Sequence, residues 1–190
     1  GDGTFSLISG PELPMVGEWS TSVAFGDLNA DQALDLYIAN YVRESDTHPK
    51  LCHDAKPGVG DTGCNPSFFD GVPDRLLLSD GQGGFRDGSA AAGLSTFPGK
   101  ALGVAIGDFG GNSAPEIYVA NDGEVNFLFR IESAGNPGNQ QDPRTVLLND
   151  QGLFASVALN EQGFAQASMG VCASDLDRNG QTDIFLTHIF

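Results

Sequence analysis

The sequence predicts an all-β protein built from repeated four-stranded antiparallel sheets. Short apolar runs bounded by Gly, Asp and Asn recur along the chain, and this pattern is typical of strands joined by tight turns. Glycine is abundant, at 26 of 190 residues, and no segment keeps a helical period over several turns. The same elements also recur in the same order, which indicates an internal repeat.

An acidic segment marks each copy of this repeat. It reads GDLNADQALDLYIAN at 26–40, GDFGGNSAPEIYVAN at 107–121 and SDLDRNGQTDIFLTH at 174–188. Each copy follows one short apolar run and continues into a second, so it predicts a hairpin around an acidic loop. The related elements RLLLSD (75–80) and TVLLND (145–150) predict further strands.

Each complete unit is predicted to contain four strands, at 21–26, 34–40, 75–79 and 84–89 in the first unit and at 102–107, 116–121, 145–149 and 153–158 in the second. The predicted organisation is one partial domain over 1–190. It comprises a last strand of a preceding unit (about 1–20), a unit at 21–100 with an insertion at 41–74, a unit at 101–165 with an insertion at 131–144, and the first hairpin of a further unit at 166–190.

Four-stranded units in series predict the blades of a β-propeller, which closes into a ring of about four to eight blades. The chain is therefore expected to be an incomplete ring, a fragment of roughly three blades of a seven-bladed propeller. The remaining blades of a parent chain are an expected partner, because they would cover the strand edges that an open ring exposes.

Composition excludes two classes of function. The formal net charge is −16, which argues against nucleic-acid binding, because Lys and Arg must displace the counterions of a phosphate backbone. No apolar run is long enough to cross a membrane, so no membrane insertion is expected. The first ten residues, GDGTFSLISG, lack an initiating Met, a basic segment and an apolar segment, so we expect a mature chain or an excised piece.

The acidic loops do not match the EF-hand. That loop starts with the same alternation of acidic residues but needs a bidentate Glu at position 12. Counted from the first Asp of each loop, position 12 is apolar in all three copies: Ile38, Val119 and Leu186. A nine-residue hairpin loop remains, in which side chains at positions 1, 3, 5 and 9 and a carbonyl near position 7 direct oxygens at one hard cation.

At this point the repeats resemble a known family. They are similar to FG-GAP (VCBS-type) repeats, the blades of integrin α-subunit propellers. The phrases NDGEVNFLFR (121–130), QASMGV (166–171) with DIFLTH (183–188), and Cys64-Asn65-Pro66 before RLLLSDGQGGF resemble the cartilage acidic protein (ASPIC/UnbV) group. The resemblance covers nearly the whole chain except 131–144. It implies a calcium-stabilised propeller, usually secreted, with a role in adhesion or ligand binding.

The resemblance implies Ca²⁺ as the cofactor and names its ligands. In the third loop they are the side chains of Asp175, Asp177, Asn179 and Asp183 and the carbonyl of Gln181. In the first loop they are the side chains of Asp27, Asn29, Asp31 and Asp35 and the carbonyl of Ala33. The first loop has Gln32 where Gly is expected, and a non-Gly residue at positive φ is strained by about 1 kcal/mol or more.

The second loop departs further from the pattern. Gly110 stands at position 3 and Glu116 replaces the final Asp. The remaining oxygen ligands are Asp108, Asn112 and Glu116, and we expect this loop to hold no metal.

Three cysteines are present, at 52, 64 and 172. A Cys52–Cys64 disulfide would close a short loop and contribute roughly 2–3 kcal/mol, and it would indicate an oxidising compartment. Free thiols, or a zinc site with His48 or His53, are alternatives, although the spacing matches no strong zinc pattern. Cys172 is expected to be a small buried residue.

Two classes of function remain. The first is a non-enzymatic module, extracellular or periplasmic, that presents loops to a protein or glycan ligand. The insertions 41–74 and 131–144 are its candidate binding surfaces, because long loops on rigid scaffolds often carry recognition. The alternative is an enzyme acting on polysaccharide, with a site completed by blades outside this chain. No catalytic group stands apart from the acidic loops, which favours binding.

Overall fold

The computed structural model describes residues 3–4, 18–43, 50–53, 60–133 and 145–189. Most of the strand predicted within 1–20 lies outside these residues. Parts of both predicted insertions, 44–49, 54–59 and 134–144, also lie outside them.

The described chain is all-β, as predicted. Short 3-10 turns occur at Pro66–Phe68 and Leu94–Thr96. The strands, in chain order, are β1 (Ser20–Gly26), β2 (Asp35–Asn40), β3 (Leu51–His53), β4 (Asp61–Gly63), β5 (Val72–Pro73), β6 (Arg75–Ser79), β7 (Phe85–Asp87), β8 (Pro98–Gly99), β9 (Ala101–Gly107), β10 (Glu116–Asn121), β11 (Phe127–Ser133), β12 (Val146–Asp150), β13 (Ala167–Ser174) and β14 (Asp183–Ile189).

The first sheet has four antiparallel strands in the order β1-β2-β6-β7. These are the strands that the sequence predicts for the first unit, within about two residues at each end. The predicted insertion 41–74 falls between β2 and β6. It contains the β3–β4 pair and the short strand β5, which pairs with β8 beyond β7. The second and third strands of this sheet, β2 and β6, are therefore neighbours although a long insertion separates them in sequence.

The second sheet also has four strands, but the prediction for its outer half was wrong. Its order is β9-β10-β11-β12, so the third strand is Phe127–Ser133 and the element predicted as third, 145–149, is the fourth. Residues predicted as a fourth strand, 153–158, instead form turns, with Ala155 N–H donating to the Gln151 carbonyl at 2.8 Å. The long insertion here divides strands three and four, and its predicted start at 131 lies within β11.

The third sheet consists of β13 and β14 alone among the described residues. It is the hairpin predicted at 166–190. The expectation that Cys172 is buried was wrong, because this residue is exposed on a two-stranded sheet that lacks the outer strands of the other two.

The main core lies between the first and second sheets. Its fully buried side chains include Tyr37 and Leu76 from the first sheet and Ile117 and Phe129 from the second. Within the described residues, no helix has the length and apolar character that crossing a bilayer would require.

The first strands of the three sheets pack side by side in the same direction. Thr21 Oγ1 donates to the Ala101 carbonyl at 2.7 Å near the start of β1 and β9, and Gly26 packs against Ile106 near their ends. Gly103 packs in turn against Val171 of β13, and Ala167 at the start of β13 bridges to Asp122, next to the residue that pairs with the start of β9. All three acidic loops therefore emerge at one end of the sheets, called here the acidic-loop end.

Candidate metal-binding loops

The three acidic loops share one backbone conformation. The first Asp of each loop accepts the backbone N–H groups of the residues four and five positions later, at 2.8–3.0 Å. The pairs are Asp27 with Asp31 and Gln32, Asp108 with Asn112 and Ser113, and Asp175 with Asn179 and Gly180. Carboxylates therefore hold each loop closed through local hydrogen bonds, which are typical of Asp in turns.

Positions 4 and 6 of every loop have positive φ. They are Ala30 and Gln32 in the first loop, Gly111 and Ser113 in the second, and Arg178 and Gly180 in the third. Gln32 has a φ of 70°, so the strain predicted for this non-Gly residue is present. Such strain persists only where surrounding interactions determine the conformation.

The third loop brings the predicted carboxylates together. One oxygen each of Asp175, Asp177 and Asp183 lie within 4.8 Å of one another, and no other group of three His, Cys, Asp or Glu side chains in the described residues does so. Asp183 Oδ2 accepts the N–H of Leu176 at 2.9 Å. Asn179 Oδ1 accepts the N–H of Gln181 at 2.8 Å, so the residues at positions 5 and 7 are in contact.

This donor set fits a hard divalent cation. Three carboxylates at this separation repel one another unless a positive charge offsets them, and Ca²⁺ binds six to eight oxygens in flexible geometry. Asp175, Asp177, Asn179 and Asp183 would supply side-chain oxygens, and Gln181 the carbonyl. A bound Ca²⁺ would stabilise the hairpin by joining its two strands through one ion.

The first loop has the same residue types in a different arrangement. Asp35 is fully buried, and its two oxygens accept the N–H groups of Leu28 at 3.0 Å and Ser79 at 2.9 Å. Burial raises the pKa of Asp35, and the nearby carboxylates of Asp31 and Asp27 add to this rise. Asp27, Asp31 and Asp35 do not form a group within 4.8 Å among the described residues.

The other predicted ligands of the first loop remain close together. Asn29 Oδ1 accepts the N–H of Asp31 at 3.1 Å, and Asp31 Oδ1 accepts the N–H of Ala33 at 2.9 Å. The loop therefore keeps its oxygen donors at positions 1, 3, 5 and 7 at the surface, while the final Asp binds the sheet.

The second loop contains an internal cation in place of an open oxygen cluster. Glu116 is 2% exposed, and its Oε2 accepts the N–H groups of Phe109 at 3.0 Å and Gly110 at 2.7 Å. The Arg130 Nε lies 3.4 Å from Glu116 Oε1. A Cβ at Gly110 would lie 2.8 Å from the same Oε1. A side chain at position 3 would therefore require the end of the Glu116 side chain to move. That this loop holds no metal stays a prediction.

Sequence reasoning missed Arg130 and Ser79 as partners of the final acidic residue. Both lie on third strands, Ser79 beyond the 41–74 insertion and Arg130 14 residues after Glu116, so no local motif could identify them. The lone Arg in the otherwise apolar FLFRI segment (127–131) was the available signal for an ion pair with a residue on the neighbouring strand.

A second buried polar contact occurs at the opposite end of the first and second sheets. Asp74 Oδ1 accepts the N–H of Asn40 at 2.8 Å, and its Oδ2 accepts the Tyr37 hydroxyl at 2.9 Å. Burial raises the pKa of Asp74 to about 7. In the second sheet Asn126 Oδ1 accepts the N–H of Asn121 at 2.8 Å, so a neutral amide occupies the equivalent position.

The predicted disulfide is present between Cys52 and Cys64. It joins the β3–β4 pair, and Lys50 Nζ lies 5.7 Å and 5.5 Å from the ring centroids of Phe68 and Phe69. Because both sulfurs are in the disulfide, they are not thiolate ligands for zinc. His48, the other zinc candidate, lies outside the described residues.

The two insertions predicted as binding surfaces emerge at opposite ends of the sheets. The 41–74 insertion follows β2, whose last residue lies away from the acidic-loop end. β11 runs antiparallel to β10, with Arg130 opposite Glu116, so the 131–144 insertion begins at the acidic-loop end. The sheet topology therefore places the described beginnings of the two insertions at opposite ends of the sheets.

Comparison with known proteins gives one informative similarity. No family model matches the chain. Over 163 residues, the chain is 29% identical to cartilage acidic protein 1 of Mus musculus, which covers 86% of this chain and 20% of that protein. The chain thus spans about a fifth of the length of this relative. The similarity supports a distant relationship over most of the chain, and the repeat type remains a prediction.

Proposed function

We propose that this chain is a calcium-stabilised part of a β-propeller that acts outside the cytosol as a binding module. The observation that carries the proposal is the convergence of Asp175, Asp177 and Asp183 within 4.8 Å, in a loop whose backbone hydrogen bonds recur in two other loops. Repetition of one loop at the same end of successive sheets supports a common structural role.

An extracellular or periplasmic location is supported by two findings. The Cys52–Cys64 disulfide is the kind of bond that persists in oxidising compartments. The similarity to a protein named for cartilage points in the same direction.

The proposed binding surface is the end opposite the acidic loops. The 41–74 insertion emerges there, and its described residues include the disulfide, the exposed side chains of Leu51 and Phe68, and the charge of Lys50. Exposed apolar side chains beside a disulfide-closed loop (52–64) suit recognition of a protein or glycan, because the disulfide limits the conformational freedom that is lost on binding. We propose binding without turnover.

The calcium proposal is tested by thermal unfolding with calcium and with a chelator. A ligand present at about 100 times its Kd stabilises the folded state by about 2.7 kcal/mol, which raises the Tm of a chain of this size by roughly 5–10 °C. Asp175→Ala should abolish part of that rise, because it removes a ligand at position 1 of the third loop.

Asp108→Ala is the matched control. It removes the same two backbone hydrogen bonds from the second loop as Asp175→Ala removes from the third. Both variants should lower the Tm similarly in chelator, whereas only Asp175→Ala should reduce the gain with calcium. A wild-type Tm that is the same in both solutions would contradict structural calcium.

A further inference from the structure

The third acidic loop has an Asn–Gly pair at positions 5 and 6, Asn179 and Gly180. No other asparagine in the 190 residues is followed by glycine. Both residues are exposed, and a Cβ at Gly180 would meet no atom within 4 Å. Asn is a thermolabile residue, because its side-chain amide is lost when the next backbone nitrogen attacks Cγ. The loop leaves space around the bond that this reaction forms.

The hydrogen bonds of the third loop prepare both reacting groups. The Gly180 N–H donates to Asp175 Oδ2 at 3.0 Å, and a charged acceptor polarises this N–H bond. The Gln181 N–H donates to Asn179 Oδ1 at 2.8 Å, where negative charge develops when Cγ is attacked. Nucleophile and electrophile are adjacent in one loop, and such proximity accelerates ring closure.

The second loop has the same hydrogen bonds but a different residue at position 6. The Ser113 N–H donates to Asp108 Oδ2 at 2.8 Å, and the Ala114 N–H donates to Asn112 Oδ1 at 2.9 Å. Asn112 is also exposed. Ser113 carries a Cβ beside the backbone nitrogen, which restricts the approach of that nitrogen to Cγ. Asn112 is therefore a matched site at which the same reaction is hindered.

The first loop already contains a carboxylate at position 5. This residue is Asp31, whose Oδ1 accepts the N–H of Ala33 at 2.9 Å. The bond is equivalent to the one between Asn179 and Gln181 in the third loop. Position 6 of the first loop is Gln32, with a φ of 70°. The loop conformation is therefore compatible with Asp at position 5 and with a long side chain at position 6.

We propose that Asn179 is a site of spontaneous deamidation, which converts position 5 of the third loop into a carboxylate. The Gly180 nitrogen bonds to Cγ of Asn179 and gives its proton to solvent, while the side-chain nitrogen takes up a proton and leaves as ammonia. Water then opens the resulting cyclic succinimide at either carbonyl. The products are aspartate and isoaspartate, and isoaspartate has one additional carbon in the main chain.

The aspartate product adds a fourth carboxylate to the third loop. Asp175, Asp177 and Asp183 already lie within 4.8 Å of one another. Without a cation the added charge increases their repulsion, and with Ca²⁺ it adds a charged oxygen ligand. Deamidation therefore widens the difference between the Tm in calcium and the Tm in chelator. This consequence rests on the calcium proposal above, whereas the deamidation itself does not.

The experiment incubates the folded chain for several weeks at neutral pH in water enriched in the heavy oxygen isotope. Peptide mass spectrometry then measures the conversion of each asparagine by the heavy oxygen that it gains. In chelator, Asn179 should be converted at least about tenfold faster than Asn112, because glycine allows the closest backbone approach. Calcium should slow the conversion of Asn179, since a bound ion would hold its Oδ1.

Reciprocal variants separate the Asn–Gly pair from the rest of the loop. Gly180→Gln should lower the conversion rate of Asn179 to that of Asn112. Ser113→Gly should raise the rate at Asn112 about tenfold. Both variants should fold, because Gln32 has positive φ at the same position of the first loop and glycine adopts positive φ freely.

Asn179→Asp reproduces the product and tests its consequence. This variant should show a wider Tm difference between calcium and chelator than the wild type. Asn112→Asp is the matched control and should leave that difference unchanged. A difference in Asn179→Asp equal to that of the wild type would overturn the proposed consequence.

Three results would overturn the deamidation site: equal conversion of Asn179 and Asn112, an unchanged rate at Asn179 in Gly180→Gln, or conversion of Asn179 only in urea. The last result would show that the folded loop protects the amide. Conversion of Asn179 in a protein whose Tm ignores calcium would contradict the calcium proposal and leave the deamidation site supported.

Discussion

The first and second acidic loops have the same backbone conformation, but different groups contact their final acidic residue. In the first loop Asp35 binds two backbone N–H groups, from Leu28 and Ser79, and the remaining carboxylates stay at the surface. In the second loop the longer Glu116 side chain binds the N–H groups of Phe109 and Gly110 with one oxygen. Its other oxygen lies beside Arg130.

This comparison shows that a repeat can keep its hairpin while the partners of its final acidic residue change. Gly110, Glu116 and Arg130 are in contact as one set, because the end of the Glu116 side chain lies 2.8 Å from where a Cβ at 110 would be and Arg130 Nε lies 3.4 Å from the same carboxylate. The first loop keeps Asn29 at position 3 and the shorter Asp35. It has therefore retained the oxygen donors that a cation would need.

The largest expected effect is on the free energy of unfolding, and its dependence on calcium should differ between the first and second loops. Asp35→Ala and Glu116→Ala each leave two backbone N–H groups unpaired and should lower the free energy of unfolding by about 3 kcal/mol in chelator. In calcium, the cost of Asp35→Ala should rise by about 2 kcal/mol or more, because ligand binding no longer stabilises the folded state. The cost of Glu116→Ala should be the same in both solutions.

Urea unfolding of both variants, with calcium and with chelator, measures these differences. Glu116→Gln is the control for charge, because it keeps most of the side-chain shape and still offers an oxygen to Phe109 and Gly110. Calcium-dependent destabilisation by Glu116→Ala would show that the second loop also binds the ion and that the comparison is wrong.

The next effect concerns the buried carboxyl of Asp74 and its neutral counterpart, Asn126. The folded-state pKa of Asp74 is about 7, against an ordinary value of 3.8, so folding favours the protonated form. Its contribution to stability is therefore fully present below about pH 4 and is lost as the pH rises toward 7. Asp74→Asn should gain on the order of 2 kcal/mol relative to the wild type between pH 5 and pH 8.

Unfolding free energies at both pH values test this prediction. Asp87→Asn is the control, since Asp87 is an exposed carboxylate of the same sheet, with its Oδ2 3.2 Å from Arg75 Nη1. A constant difference between the wild type and Asp74→Asn at both pH values would show that the carboxyl does not titrate in this range.

The smallest expected effect comes from a missing hydroxyl. Ser20 Oγ donates to Asn40 Oδ1 at 2.8 Å in the first sheet. In the second sheet Ala101 pairs with Asn121, whose buried Oδ1 has no hydrogen-bond partner among the described residues. Ala101→Ser should supply that donor and raise the free energy of unfolding by about 1 kcal/mol.

Ser20→Ala is the reciprocal change and should lower stability by a similar amount, because it leaves Asn40 Oδ1 without this donor. Thermal unfolding of both variants compares them. Destabilisation by Ala101→Ser would indicate that the site has no room for the hydroxyl and that the two sheets differ in packing there.

The sequence by itself determined the local elements of this protein. The acidic hairpins, the strands of the first sheet and the positive φ at Gln32 follow from alternation and turn chemistry within a few residues. The Cys52–Cys64 pair was one of several alternatives that the sequence allowed, and the structure selected it. Such features are predictable because their interactions join neighbours along the chain.

Tertiary structure decided what long insertions obscure. TVLLND resembles RLLLSD, yet one is a fourth strand and the other a third, since the insertion in the second sheet lies one connection later. The ion pair of Arg130 with Glu116, the buried Asp74 and the opposite ends of the two insertions likewise depend on which strands pair. Strand pairing is set by burial and register over the whole sheet, so residues far apart in sequence determine it together.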